Sequence, residues 1–211
     1  MNDDYKVTAR SAQNIAATAL AWRDTLGISN EWAPSVINLL ELTVPRIIKN
    51  FALVVRPDAE MGDAEAYTEF DPPHVAVRKS VYALAQRQDG RSRMTFAHEL
   101  GHLVMHPGAV KLRSESARKS TTPIRIFESA EWQARKFAAL FLVPDHIAVQ
   151  FGSATQLAEC CKISDQAAKI RFNETAPLRK THTLPDCVQQ TIDALKPTND
   201  NRFLRDRKSV V

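Results

Sequence analysis

The stretch Phe96-Ala97-His98-Glu99-Leu100-Gly101-His102-Leu103-Val104-Met105 decides how this chain folds. Wound as an α-helix, it carries apolar side chains around almost its whole circumference, and such a helix is buried. Its two histidines are four residues apart and lie on one face, and polar groups buried without partners cost free energy. The sequence therefore predicts a central buried helix over about residues 92–106 whose polar side chains have partners.

A metal ion is the partner that suits this spacing. His98 and His102 can point one ring nitrogen each at a single ion, since one helical turn separates them. Glu99 follows the first ligand and lies too far round the helix to bind in the same way, but it can reach a water on the metal. Zinc lowers the pKa of such a water and a carboxylate can take its proton. The pattern predicts one catalytic zinc ion, with Glu99 as the catalytic base.

The third protein ligand has to come from another part of the chain. A second helix is predicted over about residues 129–143, and its acidic candidates are Glu131 and Glu128. Glu131 lies three residues before Ala134 and seven before Ala138, so it shares the apolar face of that helix. This spacing favours Glu131 as the third ligand; a first-turn acid that only interacts with the helix dipole is the alternative.

Further polar residues could assist the site. His106 is about 12 Å from His98 along the helix axis, too far to share one ion, and a structural role at the helix C-terminus is favoured. Tyr82, His106 and His146 are accessory candidates for stabilising the charge that develops on the substrate. The alternatives are core packing for Tyr82 and a surface position for His146.

The remaining pattern indicates an α+β fold that is mainly helical. Three short segments, 51–55, 66–70 and 74–78, read as strands and predict a small antiparallel sheet. The edge formed around Val75 to Arg78 is predicted to pair with an extended substrate. Short helices follow over about residues 154–173, so the C-terminal region is also expected to be helical.

Composition limits the class of protein. Of 211 residues, 44% are hydrophobic and 25% are charged, which is ordinary for a globular chain. The longest apolar run, residues 137–143, is too short to span a membrane. Three cysteines, Cys160, Cys161 and Cys187, make no disulfide framework, so we expect a reducing cytoplasm.

We expect three regions: a metallopeptidase-like domain over 1–150, a small helical extension over 151–195 and a flexible basic tail over 196–211. Residues 109–123 are rich in Ser, Lys, Arg and Thr and are expected to form a mobile surface loop.

Two stretches together resemble the ImmA/IrrE family of metallo-endopeptidases. They are Arg93 to His106, around the His-Glu-x-x-His motif, and Glu131 to Pro144, which is similar to the family's Glu-x-x-Ala-Asn-x-Phe-Ala helix. The resemblance covers about residues 8–150. One departure is Arg135, which stands where the family has asparagine.

The resemblance implies a zincin-like domain in which His98, His102 and Glu131 bind zinc and Glu99 is catalytic. It also implies a substrate: a helix-turn-helix transcriptional repressor, cleaved in a stress response, in mobile-element control or in a toxin–antitoxin-like pair.

Two other functions are open. Residues 157–171 are typical of two short helices around a turn, and a helix-turn-helix that binds DNA through Gln166, Lys169 and Arg171 is one interpretation. A plain helical hairpin that packs on the catalytic domain is favoured over it. The other alternative is a non-catalytic regulatory protein with structural zinc, but such sites commonly use four Cys or His ligands.

Overall fold

The computed structural model describes residues 4–107 and 124–181, with the side chains of 180 and 181 left aside. The predicted loop over 109–123 and the predicted tail over 196–211 therefore lie outside the described residues, as does Cys187. The chain divides into two compact units, Met1–Ala176 and Pro177–Val211. Of the second unit only residues 177–181 are described, and they are helical.

Helices dominate the described residues and one small sheet accompanies them, so the predicted α+β class is confirmed. The elements are α1 (Ala12–Thr25), α2 (Val36–Asn38), a π-helical segment (Leu39–Thr43), α3 (Val44–Ile47), β1 (Ala52–Arg56), a 3-10 turn (Asp58–Glu60), β2 (Ala66–Phe70), β3 (Pro73–Arg78), α4 (Lys79–Gln86), α5 (Gly90–Met105), a second 3-10 turn (Ile126–Glu128), α6 (Ala130–Leu142), α7 (Asp145–Ala148), α8 (Ala154–Cys161), α9 (Asp165–Glu174) and α10 (Ala176–Thr181).

The sheet is mixed, and the prediction of a wholly antiparallel sheet is wrong for one of its two pairs. The strand order is β1-β3-β2. A tight turn over residues 71–72 joins β2 to β3, and this pair is antiparallel. The connection after Arg56, between β1 and β2, is longer. The strand that pairs with β1 is β3 and not β2, and this pair is parallel. Strand patterns alone do not specify which strand becomes central.

The substrate edge predicted around Val75 to Arg78 is also wrong, because these residues belong to the central strand β3. Val75, Ala76 and Val77 are all fully buried, so β3 is covered on both faces. Continuous burial is typical of a central strand. The free edge nearest the buried helix belongs to β2, which packs against α5.

Helices α5 and α6 form the centre of the core. They pack against each other, and α1 packs against the other side of α6. Gly101 allows the close approach, because a Cβ there would lie 3.1 Å from a ring carbon of Phe137 and 3.2 Å from the Ala134 Cα. Buried residues around this contact include Ile15, Phe96, Leu100, Phe137 and Phe141.

The hairpin of α8 and α9 joins the same core through Leu157, Cys161, Ile163 and Ala168. Ser164 caps α9 by accepting a hydrogen bond from the Ala167 N–H. The turn between these helices lies against the start of α5, where only a glycine fits. A Cβ at Gly90 would lie 2.6 Å from backbone atoms of the turn. The separate extension over 151–195 stays a prediction.

No helix within residues 4–107 and 124–181 is long and apolar enough to cross a bilayer.

Candidate metal centre

Helix α5 presents the two histidines of the motif on one face. Asp89 caps the helix by accepting a hydrogen bond of 2.8 Å from the Ser92 N–H. Because His98 and His102 are one turn apart, their Nε2 atoms approach to 3.1 Å. The His102 side chain is 7% exposed and that of His98 17%. The pair therefore forms a nearly buried set of two imidazole nitrogens.

Helix α6 brings Glu131 to this pair in its first turn. The helix begins after Ser129, whose Oγ accepts from the Trp132 N–H. Asp4, from the start of the chain, also caps it by accepting from the Glu131 N–H at 3.1 Å. Glu131 Oε1 lies 3.2 Å from His102 Nε2, and Oε2 lies 3.3 Å from His98 Nε2. The structure thus brings all three predicted ligands together.

The three ligand atoms fit a metal ion. They lie within 4.8 Å of one another. Ligand atoms about 2.0–2.1 Å from a tetrahedral zinc lie roughly 3.3 Å apart, which matches the measured separations. The other acidic candidate, Glu128, forms an ion pair with Lys6 at 3.3 Å instead. The cluster is compatible with a metal site made of His98, His102 and Glu131.

The histidines also determine the charge state of Glu131. Burial by itself raises the pKa of this carboxyl, but hydrogen bonds to His102 and His98 and their charges lower it by more. The net effect holds the pKa of Glu131 well below its usual range. Its carboxylate is therefore ionised at neutral pH, as a ligand must be.

Glu99 lies on the same helix but has a different partner. Its side chain is buried, at 7% exposed, and its Oε2 accepts a hydrogen bond of 2.6 Å from the Thr68 hydroxyl. Thr68 belongs to β2 and is itself 4% exposed. Within residues 4–107 and 124–181, no hydrogen-bond partner occupies the second oxygen of Glu99. That oxygen is available to exchange a proton in the cleft.

His106 lies directly behind the cluster. The sequence favoured a structural role for it at the end of α5, and its ring contacts two side chains. Its Nδ1 is 3.2 Å from His102 Nδ1, and its Nε2 is 3.1 Å from Gln133 Oε1. Burial lowers the pKa of His106 to about 4. It is therefore a neutral ring that touches a metal ligand.

The other two accessory candidates lie away from the cluster. The Tyr82 hydroxyl donates to Glu41 Oε1 at 2.6 Å, and its ring packs near Phe96. The Nε2 of His146 lies 3.0 Å from the Ser29 carbonyl oxygen. Neither side chain lines the cavity at the cluster.

A cavity of about 1080 Å³ opens beside His98, Glu99 and Glu131. It runs between the start of β2, one face of α5, one face of α6 and one face of α9. Its apolar lining residues are Ala66, Met94, Trp132, Ala139, Ala167 and Ile170. Lys136 pairs with Glu174 at 2.6 Å, so α6 and α9 are tied together across it. Two of the predicted ligands, His98 and Glu131, therefore lie at the wall of a cleft large enough for a peptide segment.

Arg135, the departure from the family pattern, lines the same cavity. Its Nη2 lies 3.8 Å from Glu131 Oε2, and its side chain is 62% exposed. At this exposure the ion pair contributes little to stability, because solvent screens it. The guanidinium thus adds a positive charge to the cleft wall without taking part in the core.

Sequence reasoning missed Thr68, Gln133 and Asp4. Gln133 had a signal, since it falls beside Ala134 and Phe137 on a helix face that packs inward, and a buried amide needs partners. No sequence signal identifies Thr68 or Asp4, because each contacts the site from a distant part of the chain.

The comparison with protein families agrees with this geometry. The family model described as the IrrE N-terminal-like domain, peptidase family M78, matches residues 53–173. The chain belongs to this family. As a member of peptidase family M78 it has a metallopeptidase-type function, and His98, His102 and Glu131 form a cluster compatible with its metal.

The matched range differs from the expected 8–150. It begins at β1 and includes α8 and α9, so the family domain extends into the C-terminal helical hairpin. A search of curated proteins found no match for the chain.

Proposed function

We propose that this protein is a zinc-dependent endopeptidase that cuts a helix-turn-helix transcriptional repressor. The observation that carries the proposal is the convergence of His98, His102 and Glu131. Two of these ligands, His98 and Glu131, line a cleft that Glu99 also lines. Three protein ligands leave a fourth position open, which is typical of catalytic rather than structural zinc.

The cleft suits an extended peptide. The Arg78 N–H donates to the Glu65 carbonyl. Because hydrogen bonding alternates along an antiparallel pair, the backbone groups of Ala66 and Thr68 then point to the free edge of β2. A substrate strand can pair with these groups next to the cluster. This edge replaces the one predicted on β3.

Apolar residues on both sides of the cleft favour a substrate with a large apolar side chain. Trp132 and Ala139 lie on α6, and Ala167 and Ile170 lie opposite on α9. Ile170 is 51% exposed although it is a large aliphatic residue. The charged neighbours Lys136 and Glu174 already pair with each other. Burial of a substrate side chain against this wall would supply binding free energy.

The protein's own groups account for the proton transfers. A zinc ion held by His98, His102 and Glu131 would lower the pKa of a water and polarise the substrate carbonyl. Glu99 accepts the proton of the attacking water at its free oxygen. It then passes this proton to the leaving amine, which breaks the peptide bond. The Thr68 hydroxyl holds the other oxygen and fixes the direction of the carboxylate.

The substrate assignment is supported by the family resemblance of the motifs around His98 and Glu131. A cytoplasmic setting, with a role in stress response, mobile-element control or a toxin–antitoxin-like pair, is part of the same proposal. DNA binding through α9 is not favoured, because Arg171 is 2% exposed and bonded to Val143 and Asp145. A direct DNA-binding protein would also show affinity that falls steeply with salt.

The test is cleavage of the regulator encoded beside this gene. Zinc-loaded wild type, Glu99→Gln and the control Glu60→Gln are incubated with it, and fragments are read by mass spectrometry with and without a chelator. We expect Glu99→Gln to lose activity by about 100-fold or more while it keeps its zinc, since general base catalysis contributes that much. Glu60 is exposed and does not line the cavity, so its variant should cut like wild type. Cleavage by Glu99→Gln at the wild-type rate would overturn the mechanism.

A further inference from the structure

We propose that Arg135 is a specificity-determining residue, which pairs with an acidic side chain of the substrate close to the peptide bond that is cut. The inference rests on the proposed function, because it requires a peptide in the cleft. It adds to that function the chemistry of one substrate position, beside the one that carries the large apolar side chain.

Arg135 occupies the face of α6 that lines the cavity, one turn after Glu131. Glu131 lies four residues before it and Ala139 four residues after it, and both line the same cavity. Side chains on a helix lean toward its N-terminus, and Nη2 of Arg135 accordingly lies 3.8 Å from Glu131 Oε2. The guanidinium therefore lies beside the metal cluster, at the border of the space that a substrate would enter.

The other cations that line the cavity have carboxylate partners at short distance. Each makes an ion pair with an acidic residue of the same lining, and the two oxygens of one of these carboxylates each bind a different cation. The pairs are Arg91 with Glu65 at 2.5 Å, Lys136 with Glu174 at 2.6 Å and Arg171 with Glu174 at 2.6 Å. Within residues 4–107 and 124–181, Arg135 is the cation of this lining whose nearest carboxylate lies as far as 3.8 Å away.

Glu131 does not neutralise Arg135 in the way that the other acids neutralise their partners. Its two oxygens lie 3.2 Å and 3.3 Å from the Nε2 atoms of His102 and His98, closer than the guanidinium. A metal ion held there would use this carboxylate and add positive charge of its own. A guanidinium does not lose its proton at neutral pH. Because the Arg135 side chain is also 62% exposed, its charge is accessible to a carboxylate of the substrate.

The position of Arg135 limits which substrate residue it can reach. One helical turn, about 5.4 Å, separates it from Glu131 along the helix axis. An extended peptide advances about 3.3 Å per residue, so the partner lies within roughly two residues of the bond at the metal cluster. Trp132 and Ala139 flank Arg135 on α6 and line the same cavity. The acidic residue of the substrate is therefore expected next to the large apolar one.

Cleavage of synthetic peptides tests for this preference. The full-length, zinc-loaded wild type is incubated with a peptide mixture randomised around a central apolar residue, and the cut sites are read by mass spectrometry. We expect aspartate or glutamate to be enriched at one position close to the cut. Matched peptides then carry either aspartate or asparagine at that position. The aspartate peptide should have a kcat/KM about 3- to 5-fold higher, the upper range for a partly exposed ion pair, and the ratio should shrink as salt is added.

Variants assign the preference to Arg135. Arg135→Gln removes the charge and should bring the aspartate-to-asparagine ratio of kcat/KM to about one, whereas Arg135→Lys keeps the charge and should retain a ratio above one. A role only in folding or in metal binding would lower kcat/KM for both peptides alike and leave the ratio unchanged. Arg87→Gln is the matched control, because Arg87 is exposed and does not line the cavity, and it should keep the wild-type ratio.

The outcomes separate this inference from the proposed function. An unchanged ratio in Arg135→Gln, or a ratio lost in Arg87→Gln, would overturn the inference. A wild type that cuts peptides with no acidic preference near the cut would also overturn it, while the proposed function would stand. If the zinc-loaded wild type cut neither the peptides nor the regulator encoded beside its gene, the proposed function would fail and the inference with it.

Discussion

The two sides of the metal cluster differ in what surrounds them. The cleft side carries Glu99 and Ile170 beside an open cavity. The buried side carries His106 and Gln133, which are 4% and 0% exposed and bonded to each other. Groups that contact substrate must be accessible from the cleft. Hydrogen bonds that orient a metal ligand are stronger where water is excluded. We therefore expect changes on the cleft side to alter turnover, and changes on the buried side to alter metal binding.

The largest effect is expected at Glu131, which lies where the two sides meet. Glu131→Gln removes the charged ligand, so zinc affinity should fall by more than about 100-fold, beyond the effect of groups that only orient ligands. Competition with a coloured chelator measures this affinity. Glu128→Gln is the control, because Glu128 pairs only with Lys6 among the described ion pairs. Equal zinc affinity in both variants would remove Glu131 from the ligand set.

A smaller effect is expected on the cleft side, at Thr68. Thr68→Val keeps the shape of the side chain but removes the hydrogen bond to Glu99. Since a bond to a charged group contributes about 1.5–3 kcal/mol, kcat should fall by roughly tenfold to hundredfold while zinc affinity is kept.

Thr95→Val provides the comparison for this variant, since Thr95 lines the cavity and its hydroxyl bonds to Glu65 rather than to Glu99. Turnover of a peptide from the cleaved regulator is measured together with bound zinc. A loss of zinc in Thr68→Val would contradict the separation of the two sides.

The smallest effect is expected on α9, at a part of the cavity wall that holds no metal ligand. Ile170→Gln keeps a helix-forming residue but removes apolar surface from the cleft wall, so KM should rise by about 3- to 10-fold with little change in kcat. Leu84→Gln changes an aliphatic residue of similar exposure, 46%, that is not in the cavity lining. Identical KM values in the two variants would show that α9 does not contact substrate.

The elements of the site could be predicted from local sequence to different extents. The spacing of His98 and His102 defines a shared face on any α-helix, so their proximity needs no tertiary information. Glu131 could be placed on the correct helix face, but its distance to the histidines depends on how closely α5 and α6 approach. Gly101 permits that approach, and its effect is visible only when the facing helix is in place.

Errors occurred where pairing between distant segments decides the outcome. The strand at Val75 to Val77 could be recognised, but its central place in the sheet depends on where β1 and β2 lie. Tyr82 and His146 have suitable chemistry, yet packing turns them toward Glu41 and Ser29. Residue type alone carries no information on such directions.

The sequence by itself determined the buried helix, the metal-binding spacing within it and the α+β class, because periodicity and side-chain chemistry act over a few residues. Only the tertiary structure decided the distance of Glu131, the order of the strands, the shape of the cleft and the bonds of Gln133 and Thr68. These depend on contacts between segments far apart in the chain, and such contacts form where whole helices and strands pack together.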